Sequence, residues 1–213
     1  MTFAILELVV PVWAEGAKAT TWHPHHIAER YGLFTLIVLG ESILAATMAV
    51  QSALSAGEAV GVLLPISGGG LLIVCAMWWM YFDRPVHDLL TSLPKAIVWG
   101  YGHYFVFAAA AAVGAGLAVA VDFATGHAKV SAAGAGLAVA VPVAVFLMCL
   151  WSLHHRPAYR GTRWVGPVAS ALVLLAPLSG RHAVLVIGLI LAGAVAVKVA
   201  VHGAGTRQSS ASG

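Results

Sequence analysis

Charged residues are scarce in this chain: 9% of its 213 residues are charged, against about 25% in an ordinary soluble domain. Because 61% of the residues are hydrophobic, a soluble fold of this size would have too little polar surface to cover its apolar side chains. The only two cysteines, Cys75 and Cys149, lie inside apolar segments, which excludes a disulfide framework and a cysteine metal site. The formal charge of +3 is spread among loops, so no nucleic-acid partner is predicted.

The apolar residues form long continuous runs, without the alternation that is typical of a membrane β-barrel. Lipid requires each backbone polar group to be bonded within its own helix or in a closed barrel. We therefore predict an all-α, polytopic integral membrane helix bundle with six full transmembrane helices and a partial N-terminal segment at 2–13. The predicted spans are about 31–51, 60–82, 95–121, 131–151, 164–178 and 183–201. Residues 1–201 would form one transmembrane domain in the lipid bilayer, followed by a flexible tail at 202–213.

The distribution of lysine and arginine predicts the orientation. Nine of these residues fall in loops or ends on one side of the predicted spans and two, Lys129 and Arg181, on the other. Because cytoplasmic loops carry the excess of positive residues, we expect a multi-pass protein of the inner (plasma) membrane with a cytoplasmic C-terminus.

Tryptophan and tyrosine are concentrated on the same side as the basic residues. Aromatic belts normally mark both membrane surfaces, so a one-sided distribution is unusual. Two interpretations are open: the rings anchor the protein at one surface, or they line a cytoplasmic vestibule.

Glu41 lies in the middle of the first predicted span, which at 1.5 Å per residue is about 30 Å long. An acidic side chain near the bilayer midplane costs at least about 2.5 kcal/mol, so it is expected to have a function or to fix helix packing. Arg30 falls on the same helical face but about 16 Å away along the axis, too far to pair with Glu41. Arg30 can instead extend to the interface, or pair with Glu29 or Asp83.

His103 is the predicted partner of Glu41. Counted from the starts of their spans, the two residues lie at similar depths, about 12 and 15 Å, and glycines flank His103. A buried carboxylate and imidazole can pass a proton or bind a cation. Glu41, His103, Arg30, Glu29 and Asp83 therefore form the candidate intramembrane site, with either an ion- or proton-handling role or a structural one.

Other polar patterns predict less. His25 and His26 stand at helical spacing from Glu29, but a second cluster with ligand spacing is missing, so we predict neither a metal site nor a cofactor. The sequence has no nucleophile elbow or phosphate loop, and we do not expect an enzyme. Three glycines at 68–70 indicate either close helix packing, which we favour, or a helix broken near the midplane, as in secondary transporters.

Three stretches carry a family resemblance: HIAERYGLFTLIVLGESI at 26–43, WWMYFD at 78–83 and WGYGH at 99–103. In this order they resemble the bacterial low temperature requirement A (LtrA) membrane family, over what corresponds to the C-terminal half of a typical member. The resemblance implies an integral membrane protein linked to growth in the cold, and it implies that the partner of this chain can be a missing N-terminal half. A homo-oligomer is the other expected partner.

These observations lead to two functional hypotheses. In the first, the helix bundle moves protons, ions or a small solute, with Glu41 and His103 as the intramembrane groups. In the alternative, the chain is a non-transporting membrane scaffold, a stress-response component or an inactive fragment of a longer protein, in which Glu41 and Arg30 specify helix packing.

Overall fold

The computed structural model describes residues 9–10, 13–14, 23–83, 85–154 and 162–211, with side chains as far as His202. Within these ranges every regular element is a helix and no residue belongs to a strand. The α-helices are α1 (Pro24–Ser55), α2 (Val60–Phe82), α3 (Leu93–Ala124), α4 (Ala132–Leu153), α5 (Val165–Leu175) and α6 (Ala183–Ala211). Short 3₁₀ segments occupy His87–Leu89 and Ala176–His182.

The structure contains five helical stretches long and apolar enough to cross a membrane: Pro24–Ser55, Val60–Phe82, Leu93–Ala124, Ala132–Leu153 and Val165–His202. The predicted count of six is not confirmed, because the predicted spans 164–178 and 183–201 fall in the last of these stretches. The α-helical part of the first of them, α5, has only 11 residues. Gly180 interrupts the 3₁₀ segment that follows, with a φ of 64°.

Helix ends explain most differences from the predicted spans. α1 starts seven residues before the predicted span because Pro24 occupies its first turn and the His23 side chain accepts a bond from the His25 amide at 3.3 Å. α4 starts after Ser131, whose hydroxyl accepts a bond from the Gly134 amide at 3.0 Å. Hydropathy alone misses such polar first turns.

Most of the predicted segment 2–13 and the basic residues Lys18, Arg84, Arg156 and Arg160 lie outside the described residues. At the other end, α6 continues as a helix to Ala211, within the range predicted as a tail. The flexibility of 202–213 stays a prediction.

The six helices form a ring in the order α1, α3, α4, α5, α6 and α2, with α2 packed against α1. Among the pairs of helices that follow each other in the chain, α2 and α3 are the pair that is not adjacent in this ring. Arg30, Lys95, Arg163 and Lys198 lie at one end of the ring, called here the basic end, while Lys129 and Arg181 lie at the opposite end. The shared interior is apolar; its completely buried members include Ile73, Met77, Val106, Val113, Val139, Val143, Phe146, Ile187 and Leu191.

Glycines allow the closest helix contacts in the ring. A Cβ atom on Gly69 would lie 2.7 Å from the backbone of Leu185, and one on Gly116 would clash with the carbonyl oxygen of Ala138. Helix α2 runs unbroken through residues 68–70, so the broken-helix interpretation is wrong. The close-packing interpretation is confirmed at Gly69, and Gly70 packs against Leu117.

Candidate functional site

His103, on α3 near the basic end, is a completely buried polar residue with 0% exposure. Its Nδ1 is 2.8 Å from the carbonyl oxygen of Trp99, and its Nε2 is 3.1 Å from the hydroxyl of Tyr81. Because a carbonyl oxygen only accepts hydrogen bonds, Nδ1 must carry a proton. In the neutral imidazole, Nε2 is then the acceptor for the Tyr81 hydroxyl. A second proton would turn Nε2 into a donor toward the same oxygen.

An aromatic cage, made of Tyr31, Tyr81, Trp99, Phe107 and His154, surrounds the His103 ring. Its ring centroids lie between 3.9 Å (Trp99) and 6.1 Å (His154) from that of His103. The rings of the cage come from α1, α2, α3 and the end of α4. A change in the packing of these helices therefore changes the contacts of the His103 imidazole.

Two glycines lie in close contact with side chains of neighbouring helices beside the cage. A Cβ atom on Gly100 would lie 2.7 Å from the Tyr31 hydroxyl, and one on Gly102 would lie 2.6 Å from the Leu153 side chain. The glycines that flank His103 in the sequence therefore allow close approach, as predicted. Trp99 is buried as well, and its Nε1 has no hydrogen-bond partner among the described residues.

A cavity of about 110 Å³ adjoins the cage at the basic end. The charged and polar side chains Asp83, His154, Arg163 and Lys198 line it, together with Trp151 and apolar residues of α2 and α4. His154 belongs both to this lining and to the cage. The cavity therefore leads from the polar end of the bundle to the ring that lies next to His103.

Asp83 links two of the helices that line the cavity, α2 and α6. Its side chain is 8% exposed, and its Oδ2 lies 2.8 Å from Nζ of Lys198, which joins the end of α2 to α6. At this distance the two groups form an ion pair. Nδ1 of His202 is 3.8 Å from the other carboxylate oxygen. The carboxylate is thus placed among basic groups in a nearly buried position.

The structure does not bring Glu41 and His103 together. Glu41 is on the exposed surface of α1, and among the described residues it has no hydrogen-bond or ion-pair partner. The residue of α1 that contacts His103 is Tyr31, ten positions earlier. Next to Glu41, the Ser42 hydroxyl donates a bond to the carbonyl oxygen of Ala110 at 2.8 Å. The predicted pair is wrong because depth was counted from Tyr31, although α1 starts at Pro24.

The remaining predicted site residues are separated as well. Glu29 is exposed, and its Oε2 lies 3.7 Å from Nδ1 of His26. Arg30 is exposed and forms no ion pair within the described parts of the chain, so neither predicted pairing of Arg30 is found. Asp83 pairs with Lys198 instead. No group of three or more potential metal ligands is found among the described residues.

Sequence reasoning missed Tyr81, Trp99 and His154 as neighbours of His103. Two signals were present. Trp99 precedes His103 by four residues, the spacing that places two side chains on one helical face. Tyr81 and His103 belong to the second and third family stretches, which the structure brings into direct contact. Lys198 gave no local signal, because its role depends on the packing of α6 against α2.

Comparison with known proteins bears on these three stretches. The model of the bacterial low temperature requirement A protein (LtrA) family matches residues 1–201. The chain belongs to the LtrA family. No curated protein and no solved structure matches the chain. Family membership and the apolar helices together indicate a multi-pass membrane protein. In this LtrA chain the three family stretches lie on α1, α2 and α3, and each contributes a residue to the His103 site.

Proposed function

We propose that this LtrA protein moves protons, alone or together with a small ion or solute, and that His103 is the group that carries the proton. The observation behind this proposal is a completely buried imidazole that is bonded to Tyr81 and lies next to the ring of His154. An imidazole can take up and give off a proton at its ring nitrogens, and one that lies beside the lining of a polar cavity is suited to proton transfer. A role of the protein at low temperature, as the family's name implies, would follow from this transport.

The proton path at the basic end has two steps. A proton enters from the cavity that Asp83, His154 and Lys198 line, and it is passed toward the Tyr81 hydroxyl. Nε2 of His103 takes a proton from the Tyr81 hydroxyl as that oxygen receives one from the cavity side, so charge is balanced at the oxygen. The Nδ1 proton stays bonded to the Trp99 carbonyl and keeps the ring in place.

Beyond His103 the bundle needs a rearrangement to release the proton. Toward the opposite end, the interior of α3 continues with Val106, Ala110, Val113 and Leu117, all of them buried. A groove of about 280 Å³ opens in that half between α1, α2 and α3, and the hydroxyls of Thr47 and Ser67 are the polar groups of its lining. We propose that this groove widens when the cavity at the basic end closes.

We also propose the orientation and the number of crossings. The basic end, and with it the C-terminus, would face the cytoplasm of a plasma membrane because it carries most of the lysine and arginine residues. The 11 residues of α5 and the 3₁₀ residues 176–179, which precede the interruption at Gly180, together rise about 24 Å, and we propose that they make a short sixth crossing. In support, Gly166 contacts Trp151 at the basic end, and Pro177 contacts Gly136 near the start of α4.

The test is proton flux in vesicles that contain the purified full chain and a pH-sensitive dye. With valinomycin and potassium to balance charge, the wild type is expected to collapse a pH gradient faster than protein-free vesicles. His103→Gln should reduce this rate to background, and Tyr81→Phe should slow it, since the phenyl ring keeps the packing but lacks the hydroxyl. His127→Gln is the matched control, because His127 lies in the loop at the opposite end.

Thermal unfolding must first show that His103→Gln and Tyr81→Phe are folded, before their proton flux is compared. Wild-type flux in folded His103→Gln would remove His103 from the mechanism. The scaffold alternative is favoured by the apolar packing between His103 and the opposite end of α3. It predicts that the wild type itself conducts no protons above background, while His103→Gln lowers the melting temperature.

A further inference from the structure

The described part of the chain leaves one face of α1 uncovered, and the residues of this face follow a regular spacing. The outer stripe of α1 advances in alternating steps of four and three residues, the heptad spacing of two helices that pack side by side. Every member is exposed: Arg30, Phe34, Ile37, Glu41, Leu44, Met48, Gln51 and Ser55. The buried residues by which α1 contacts the bundle, such as Thr35, Leu39 and Ser42, lie on the opposite side. At the edge of the stripe, the ring of Phe34 also meets the ring of Phe107 on α3, with 4.6 Å between the centroids.

α1 is the least covered of the five long apolar stretches. In its most apolar part 17% of the residues are buried, against 28% in Val165–His202, 44% in α2 and 50% in both α3 and α4. Lipid can cover apolar side chains such as Ile37 and Met48. The uneven burial alone therefore does not decide what lies against the outer stripe.

Glu41 decides this point. It is part of the outer stripe, and it lies eleven residues after Arg30 and fourteen before Ser55, about 16 and 21 Å along the helix axis. A glutamate side chain is too short to reach either membrane surface from there, and lipid chains offer it no hydrogen bond. The neighbour of the outer stripe must therefore carry a polar group at the level of Glu41.

We propose that the outer stripe is the contact between two copies of this chain, with their α1 helices packed in parallel about a two-fold axis. All copies insert in the same direction, so each stripe residue meets its own counterpart. The polar members suit this arrangement: two carboxyl groups that share a proton can bond to each other, and the Gln51 amide can both donate and accept. Arg30, at the basic end, can extend away from the axis to the interface.

The apolar members fill the layers between these polar contacts. Phe34 and Ile37 lie between Arg30 and Glu41, and Leu44 and Met48 lie between Glu41 and Gln51. A seven-residue repeat keeps two straight helices in register at a crossing angle of about +20°, the usual value for membrane bundles. In this arrangement the two Glu41 residues lie at the same level and fix the register of the two helices. A shift of one helix by one turn would place Glu41 opposite an apolar residue.

Cysteine cross-linking in membranes tests the proposal on the full chain. Cys75 and Cys149 are first replaced by alanine, and single cysteines are then placed in the outer stripe as Ile37→Cys, Leu44→Cys or Met48→Cys. Leu36→Cys is the matched control, because Leu36 is exposed on α1 but lies off the stripe. Two differently tagged copies are produced together, so that a linked product can be identified as a dimer of this chain.

The expected result is oxidative cross-linking between the two tags at all three stripe positions and little at Leu36→Cys. Equal cross-linking at Leu36→Cys, no cross-linking in the stripe, or cross-linking to a different protein alone would each overturn the proposal. The same measurement with purified protein in vesicles must give the same pattern, since the proposed contact needs no other component.

Substitution of Glu41 tests its part in the contact. Glu41→Leu is expected to weaken dimerisation by roughly tenfold, measured by energy transfer between labelled copies at increasing dilution in lipid. Glu41→Gln should keep most of the affinity, because an amide is self-complementary, and Leu36→Ala should leave it unchanged. If Glu41→Leu dimerises as well as the wild type, the carboxyl has no role there. Proton flux through His103 is a separate readout, and its absence leaves this proposal standing.

Discussion

Gly69→Ala is expected to destabilise the bundle by about 2–3 kcal/mol, because a backbone-to-side-chain clash at a helix crossing cannot be relieved by a rotamer change. The new Cβ atom would lie 2.7 Å from the backbone of both Val184 and Leu185. The carbonyl oxygen of Gly69 is also the atom nearest to a Cβ on Gly188, at 2.7 Å, so both helices are held at their closest approach. The added methyl group would push α2 away from α6, its neighbour in the ring of helices.

The neighbouring glycine provides the control. A Cβ atom on Gly68 would have no heavy atom within 4 Å, and Gly68→Ala should leave stability unchanged or raise it by up to about 1 kcal/mol through helix propensity. Thermal unfolding of both variants in the same detergent or nanodisc measures the difference. Equal stabilities for the two alanine variants would show that α2 and α6 do not cross at Gly69.

Lys198→Met is expected to cost about 2 kcal/mol, because it removes the ammonium group that lies 2.8 Å from the nearly buried Asp83 carboxylate. The value is set below that of a fully buried pair, since Lys198 is itself 20% exposed and His202 remains 3.8 Å away. The double variant Asp83→Asn with Lys198→Met should recover much of the loss, because the carboxylate charge that Lys198 compensates is then removed as well. Chemical or thermal unfolding of Lys198→Met, Asp83→Asn and the double variant completes the cycle.

Lys95→Met is the matched control for this cycle. Lys95 also lies at the basic end, but it is exposed, and its Nζ donates a bond to the Thr91 hydroxyl at 2.8 Å. The loss of this bond should change stability little. If Lys198→Met and Lys95→Met both unfold at the same temperature or denaturant concentration as the wild type, the ion pair between α2 and α6 contributes nothing to stability.

The helices themselves could be predicted closely from the sequence. The predicted span 60–82 coincides with α2, and 131–151 differs from α4 by one or two residues, because long apolar runs leave few alternatives in lipid. The start of α1 could not be found in this way, since its first turn is polar and is fixed by Pro24 and His23. The segment after Leu175 was equally hard to predict, because a 3₁₀ segment has no distinct hydropathy.

The candidate site could be predicted only in part. His103 was identified from its position in an apolar span with glycines beside it, and it is the buried imidazole of the structure. Its partners were not, because they come from α1, α2 and the end of α4, and the order of helices in the ring is not encoded in any local pattern. Glu41 shows the same limit, since a helical wheel gives the face of a residue but not what lies against it.

The position of α6 in the ring also sets the order in which the protein is built. α2 leaves the ribosome well before α6, the helix against which it packs. Until α6 enters the membrane, Gly69 lacks the backbone of Leu185 and Asp83 lacks the ammonium group of Lys198. Nascent chains that stop before Ala183 should therefore hold α2 loosely, and the cavity beside His103 should form only after α6 has been inserted.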